Sequence, residues 1–94
     1  MAVLSKSDIQ SRLAALPGWT YDDSVISKTY TCGSFAEALL FVNAVGHAAE
    51  RADHHPDIDI RYKRVRMALA THSAHGITEK DFALAHTIEQ LAAP

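Results

Sequence analysis

The sequence of 94 residues has little of several features that would identify a protein class at once. A single cysteine excludes a disulfide framework and a thiolate zinc cluster. Four glycines and three prolines are too few for a collagen-like or low-complexity chain. The longest wholly apolar run, 38–42, is far short of the roughly 20 residues that span a bilayer. The N-terminus shows no signal-peptide pattern, so we expect a cytoplasmic protein without a membrane segment.

Neither sign of charge is in large excess, whereas histidine is abundant. The net charge of −2 argues against a domain that binds nucleic acid over its whole surface. The length fits one domain covering 1–94, and a domain this small buries only about 60–65% of its unfolded surface. Self-association would therefore add stability. Of the six histidines, four lie within 22 residues, namely His54, His55, His72 and His75.

Three segments have the apolar period of an amphipathic helix. The first covers about 7–16, with Ser7 as N-cap and Gln10 at the third position. The second begins after Ser34 and runs to about residue 52 or 53, with a predicted apolar stripe of Phe35, Ala38, Leu39, Val42, Val45 and Ala49. The third follows Thr78 as N-cap, with Asp81 at its third position and a predicted apolar contact between Ile77 and Phe82.

Between these helices the sequence predicts two β-hairpins. Segments 19–21 and 25–31 are rich in β-branched and aromatic residues and flank the turn-forming residues 22–24. Segments 58–62 and 65–69 alternate apolar and polar residues, which places Tyr62 on the strand face of Ile58 and Ile60 and the turn at Lys63 and Arg64. The predicted fold is α+β, with a four-stranded antiparallel sheet, three helices on one face and the order αββαββα.

The end of the second helix carries the first candidate site. Glu50 and His54 are four residues apart, so the carboxylate could hold the imidazole, although such a pair is also a common surface feature. His47 precedes His54 by seven residues, on roughly the same face. The adjacent His54 and His55 stand before Pro56, which ends helical structure, so this corner could present two imidazoles to one cleft or be a polar helix terminus.

Two more residues are candidates on their positions. His72 follows the last strand and could face the His54–His55 corner or lie exposed in a loop. Asp81 is first of all a carboxylate that stabilises the start of its helix. His47 and His86 are interpreted as ordinary residues of polar helix faces.

A metal site and an anion site are weaker alternatives. Imidazoles and carboxylates can bind zinc or iron, but no two histidines occur at helical ligand spacing, and His72 and His75 stand in a predicted loop. A basic patch at the second hairpin could attract an anionic partner, although acidic residues precede it and favour a solvated hairpin tip. The patch consists of Arg61, Lys63, Arg64 and Arg66.

The spacing of these residues resembles the signature of the pterin-4a-carbinolamine dehydratases. The matching positions are Glu50, His54-His55-Pro56, Tyr62, His72 and Asp81. The resemblance extends to 16–19, to 35–45 in the long helix and to 76–82, so it covers nearly the whole chain. Seven typed positions at fixed spacing are far more specific than any single pair.

This resemblance implies a fold and an activity. The family has a four-stranded antiparallel sheet with three helices on one side, and its members remove water from 4a-hydroxytetrahydropterins to give quinonoid dihydropterins. It implies His54, His55 and His72 as catalytic residues, and Glu50, His55 and Asp81 as residues that bind or orient the substrate. It implies no cofactor and no metal.

The resemblance also implies partners and an alternative function. Family members form dimers or tetramers and serve aromatic amino-acid hydroxylases, which release the substrate. Some members also act as dimerisation cofactors of a homeodomain transcription factor, so a non-catalytic interaction module is the alternative. Two positions depart from the expected pattern: His75 stands where a small residue, commonly glycine, is usual, and Lys63 where asparagine is common.

Overall fold

The computed structural model describes residues 2–92. Its elements follow the predicted order αββαββα, with one short 3₁₀ turn before the last helix. The helices are α1 (Lys6–Leu13), α2 (Phe35–Ala52) and α3 (Glu79–Ala92), and the strands are β1 (Thr20–Asp22), β2 (Val25–Thr31), β3 (Asp57–Arg61) and β4 (Arg64–Leu69). No helix among the described residues is long and apolar enough to cross a membrane.

The four strands form one antiparallel sheet in the order β1-β2-β4-β3. One face of the sheet is apolar, because Ile26 pairs with Leu69 and Ile58 pairs with Met67 in register. These side chains join buried residues of all three helices in one hydrophobic cluster. The α+β prediction with helices on one face is thereby confirmed.

The helix boundaries confirm the predicted caps at Ser34 and at Thr78, whose hydroxyl accepts from the Lys80 amide, and correct a third. Ser34 accepts a hydrogen bond from the Glu37 amide, as expected for the N-cap of α2. The first helix, however, begins two residues earlier than predicted, because Ser5 accepts from the amide of Asp8 and is the N-cap. Ser7 therefore lies inside α1, and the helix ends at Leu13, three residues before the predicted end at residue 16.

The predicted apolar stripe of α2 is partly wrong. Phe35 and Leu39 are exposed, whereas Phe41, which the stripe omitted, is buried. The face of α2 that packs on the core consists of residues three, four and seven apart, mostly small, namely Ala38, Phe41, Val45, Ala48 and Ala49. The buried face therefore includes Ala38, Val45 and Ala49 of the predicted stripe but is centred on Phe41 rather than on Leu39.

Both hairpins have two-residue turns. The first turn is Asp23–Ser24, between the paired Asp22 and Val25, within the predicted turn segment. The second is Tyr62–Lys63, closed by Arg61 opposite Arg64, so the prediction of a turn at Lys63–Arg64 was wrong by one residue. Tyr62 consequently lies in the turn with a φ of 54° and is exposed, rather than sharing the face of Ile58.

Candidate active site

At the end of α2 the backbone directs the side chain of His54 towards the interior of the protein. Asp53 adopts a left-handed conformation with a φ of 51°, and the His54 amide donates to the Ala49 carbonyl at 3.1 Å. This turn directs the imidazole of His54 towards α3, where it is 9% exposed. Its Nε2 lies 2.6 Å from Oδ1 of Asp81.

Asp81 is completely buried, and both of its carboxylate oxygens have partners. Oδ2 accepts from the Thr71 hydroxyl at 2.8 Å and from the Thr78 amide at 2.9 Å, which confirms the predicted capping role. Because the Thr71 hydrogen points to Asp81, the Thr78 hydroxyl donates to Thr71 over 2.8 Å. One carboxylate therefore connects the end of the sheet, the start of α3 and His54.

This arrangement determines which nitrogen of His54 carries the proton. A carboxylate accepts hydrogen bonds only, so Nε2 of His54 is the donor to Asp81. In the neutral imidazole, Nδ1 is then left with a free electron pair. Sequence reasoning had placed Asp81 near the site but had no signal for this contact, because 27 residues separate the two positions.

Glu50 pairs with a different histidine from the one predicted. Its Oε1 lies 2.8 Å from Nε2 of His55, and both side chains are exposed. The predicted pair with His54 assumed helical spacing, but α2 ends at Ala52 and the left-handed Asp53 rotates His54 away. An exposed pair of this kind contributes at most about 1 kcal/mol to stability.

His54, His55 and His72, the three histidines of the family signature, line one cleft of about 320 Å³. His54 and His55 come from the end of α2, and His72 begins the 3₁₀ turn that follows β4. Other residues of its wall, which sequence reasoning had not singled out, include Asp53, Ser73 and Lys80. Asp81 lies behind His54 and does not line the cleft.

The remaining histidines separate into two groups. His47 and His86 are exposed on α2 and α3 and line neither this cleft nor the one beside it. His75 lines a neighbouring cleft that shares His72 as a wall. Within residues 2–92, no group of three or more histidine, cysteine, aspartate or glutamate side chains is placed to hold a metal ion.

A larger cleft of about 450 Å³ lies elsewhere, between the end of β2, the first half of α2 and the end of α3. Its wall includes Tyr30, Cys32, Leu40, Phe41 and Leu91, and it contains no histidine. Size alone would select this cleft as the binding site. The smaller one contains three imidazoles, which can donate and accept protons near neutral pH, so it is the candidate for proton-transfer chemistry.

Comparison with known proteins identifies a family over nearly the whole chain. The sequence model of the family described as pterin 4 alpha carbinolamine dehydratase matches residues 2–91. A protein of Herpetosiphon aurantiacus, provisionally named a pterin-4-alpha-carbinolamine dehydratase, is 52% identical over 93 residues, covering 99% of this chain and 97% of the relative.

Two solved structures extend the comparison to the fold. The crystal structure of a transcriptional coactivator/pterin dehydratase from Brucella melitensis superposes with a TM-score of 0.94 at 34% identity, covering 98% of this chain and all of the other. A pterin dehydratase-like protein described as a RuBisCO assembly factor in the alpha-carboxysome shares the fold, with a TM-score of 0.66, 22% identity and coverage of 80% and 87%. On this evidence the chain belongs to the pterin 4 alpha carbinolamine dehydratase family.

Proposed function

We propose that this protein removes water from a 4a-hydroxytetrahydropterin and releases a quinonoid dihydropterin. The observation that supports this most directly is the cleft lined by His54, His55 and His72, together with the buried carboxylate of Asp81 that holds the His54 imidazole from behind. The relatives and the family are named for the same reaction.

The reaction needs two proton transfers. The bond from C4a to the hydroxyl oxygen breaks, the N5–H bond breaks, and a double bond forms between C4a and N5. The hydroxyl leaves as water once it receives a proton, so one group must donate a proton and another must accept one. Imidazole suits both roles, because its ordinary pKa lies near neutrality.

We assign the proton acceptor to His54. Its Nε2–H is bonded to Asp81, so its Nδ1 carries the free electron pair, and the carboxylate stabilises the imidazolium that forms. His72, which lines the same cleft, then protonates the departing hydroxyl. His55, held by Glu50 at the cleft mouth, binds and orients the pterin ring.

The direct test is a stopped-flow measurement of the dehydration of a 4a-hydroxytetrahydropterin. We expect the purified protein to accelerate the reaction over buffer in proportion to enzyme concentration. A rate equal to that of buffer would refute the proposed function. Because the proposed steps are proton transfers, we expect no added cofactor to be required.

Two further proposals concern partners. We propose that the substrate comes from an aromatic amino-acid hydroxylase, the class of enzyme that produces 4a-hydroxytetrahydropterins. We also propose that the chain forms a dimer or a tetramer, because α2 exposes large apolar side chains, with Leu40 at 69% exposure. Light scattering tests this: Leu40→Glu should lower the mass of the assembly, and a monomeric wild type would contradict it.

The exposed face of α2 is also what a non-catalytic interaction module would use. The Brucella relative is named a transcriptional coactivator as well as a pterin dehydratase, and this name supports the alternative. A stable complex with another protein in a preparation that lacks dehydratase activity would favour it. The cytoplasmic location stays a prediction from the sequence.

A further inference from the structure

The face of the sheet that points away from the helices carries a group of arginines. On β4, Val65 and Met67 are buried in the core. Because side chains alternate along a strand, Arg64 and Arg66 project from the opposite face. Arg61 of β3 is directly opposite Arg64 in register, so it shares that face. All three arginines are exposed, so three positive charges are concentrated on the open face of the sheet.

The three arginines line a cleft of about 240 Å³. The rest of its wall is Asp59 and Thr29, which lie on either side of Arg66 in register. The cleft lies near the turn that joins β3 to β4, whereas the histidine cleft begins at Ala70, beyond the other end of β4. The two clefts share no residue, so this one is separate from the proposed catalytic site.

The guanidinium groups of this cleft have no partner within residues 2–92. None of them takes part in a hydrogen bond or an ion pair there, not even with Asp59. A guanidinium has five N–H donors in a fixed planar fork and keeps its charge at every physiological pH. Three such groups and one carboxylate give the wall a formal charge of +2 and many free donors.

This arrangement reduces the stability of the hairpin. Arg61 and Arg64 are directly opposite each other, and like charges in such a pair repel. Local features that work against folding are expected mainly at functional sites. An anion bound between the two guanidinium groups attracts both of them, so it would turn the repulsion into a binding contribution.

The chemistry of the wall indicates which anion fits. The guanidinium fork matches the oxygens of carboxylate and phosphate groups. A carboxylate neutralises only half of the charge of the wall, whereas a phosphate monoester has a charge close to −2 at neutral pH. Of the described residues, no aromatic or large apolar one lines the cleft, so a nucleic-acid base or an apolar peptide side chain has nothing to pack on.

We propose that this cleft binds the phosphate group of a small phosphorylated molecule. Arg61, Arg64 and Arg66 donate hydrogen bonds to the phosphate oxygens, and the Thr29 hydroxyl donates another. Asp59 only accepts hydrogen bonds, so it binds a hydroxyl group of the molecule that carries the phosphate. The inference does not depend on the proposed dehydratase function, because no residue of the histidine cleft takes part.

The test is an NMR titration of the ¹⁵N-labelled protein with glycerol 3-phosphate at about pH 7.5, where the phosphate is a dianion. Chloride keeps the ionic strength constant. We expect the Nε–H signals of Arg61, Arg64 and Arg66 to shift and to saturate, with a Kd of about 0.1–1 mM. Acetate, a monoanion, should bind at least about 10-fold more weakly.

Substitutions decide whether the binding is specific to the cleft. Arg61→Gln and Arg66→Gln should each raise the Kd about 10-fold, the effect of losing a hydrogen bond between charged groups. Two controls remove the same charge outside the cleft wall and should keep the wild-type Kd. They are Arg51→Gln, at an exposed position of α2, and Lys63→Gln, in the turn beside the cleft.

Three results would overturn the proposal. The first is a titration that does not saturate or shifts only signals of the histidine cleft. The second is an equal Kd in the arginine variants and in the two controls, which would indicate a general charge effect. The third is a phosphoserine tripeptide that binds at least about 10-fold more tightly than glycerol 3-phosphate, since the site would then serve phosphorylated proteins. Equal or weaker binding of the tripeptide supports a small phosphorylated ligand.

Discussion

The Nε2 atom of His54 lies 2.6 Å from Oδ1 of Asp81, and 27 residues of sequence separate the two positions. The contact joins the end of α2 to the first turn of α3 behind the wall of the histidine cleft. The other oxygen of the same carboxylate is held by Thr71 and Thr78, so its position is set by the fold rather than by the histidine. His54 is therefore oriented before any substrate binds.

Asp81→Asn should lower both kcat and stability. The amide replaces one accepting oxygen by a donor, so at least one of the three groups that now donate to Asp81 loses its acceptor. We expect kcat to fall by about 10–100-fold, the usual cost of losing such a supporting partner. We expect the free energy of unfolding to fall by about 1–3 kcal/mol, measured by urea denaturation. Asp59→Asn, at an exposed site, is the control, and an unchanged kcat in Asp81→Asn would contradict the orienting role.

Replacing either proposed acid–base residue should nearly abolish catalysis. Removing a general acid or base costs about 10²–10⁴-fold, so His54→Ala and His72→Ala should each reduce kcat by that range in stopped-flow dehydration. His86→Ala, which removes an exposed imidazole from α3, should retain the wild-type rate. If one of the two motif variants kept nearly full activity, its residue would not be one of the acid–base pair.

Because of Glu89, the protein should become less stable as the pH falls into the acidic range. Burial alone would raise the pKa of this carboxyl, but hydrogen bonds from Tyr30 and Lys28 outweigh it and hold the pKa below its ordinary 4.5. A depressed carboxyl pKa adds stability above the unfolded-state value, and this contribution is lost as pH falls through the folded-state value.

The measurement is urea denaturation between pH 7 and pH 3. We expect the free energy of unfolding to fall as the pH drops below about 4.5, and to fall less in Glu89→Gln, which cannot titrate. Burial and the neighbouring Glu89 also raise the pKa of the Tyr30 phenol, so Tyr30 stays neutral throughout this range. Equal pH slopes in wild type and variant would show that the carboxyl is not responsible.

Arg64→Glu should stabilise the second hairpin. Arg61 and Arg64 are directly opposite each other across the turn, and like charges in such pairs are destabilising. Replacing one by glutamate turns the pair into an attractive one, so we expect a gain of about 0.2–1 kcal/mol in urea denaturation. Lys63→Glu changes the net charge equally but lies in the turn, so it is the control. A gain of equal size in both variants would indicate a general charge effect.

Local patterns in the sequence were sufficient to predict most elements. The N-caps at Ser34 and Thr78, the burial of Ile77 and Phe82, and the alternation in β4 depend on residues within a few positions of each other. The predictions were wrong where one segment fits two local structures equally well. Tyr62 fits a strand face by alternation, but the chain needs a turn residue there, and the cross-strand pairing of Arg61 with Arg64 decides the register.

The sequence by itself determined the element order, the helix caps at Ser34 and Thr78 and the family signature that contains His54, His55 and His72, because these follow from short-range periodicity and spaced motifs. Only the tertiary structure decided that Asp81 holds His54 while Glu50 holds His55, since the left-handed turn at Asp53 points the two imidazoles apart. It also decided that the turn at Asp23 faces the loop of His75 across a cleft. Such contacts depend on how helices and hairpins pack, and residue spacing along the chain carries no information about that packing.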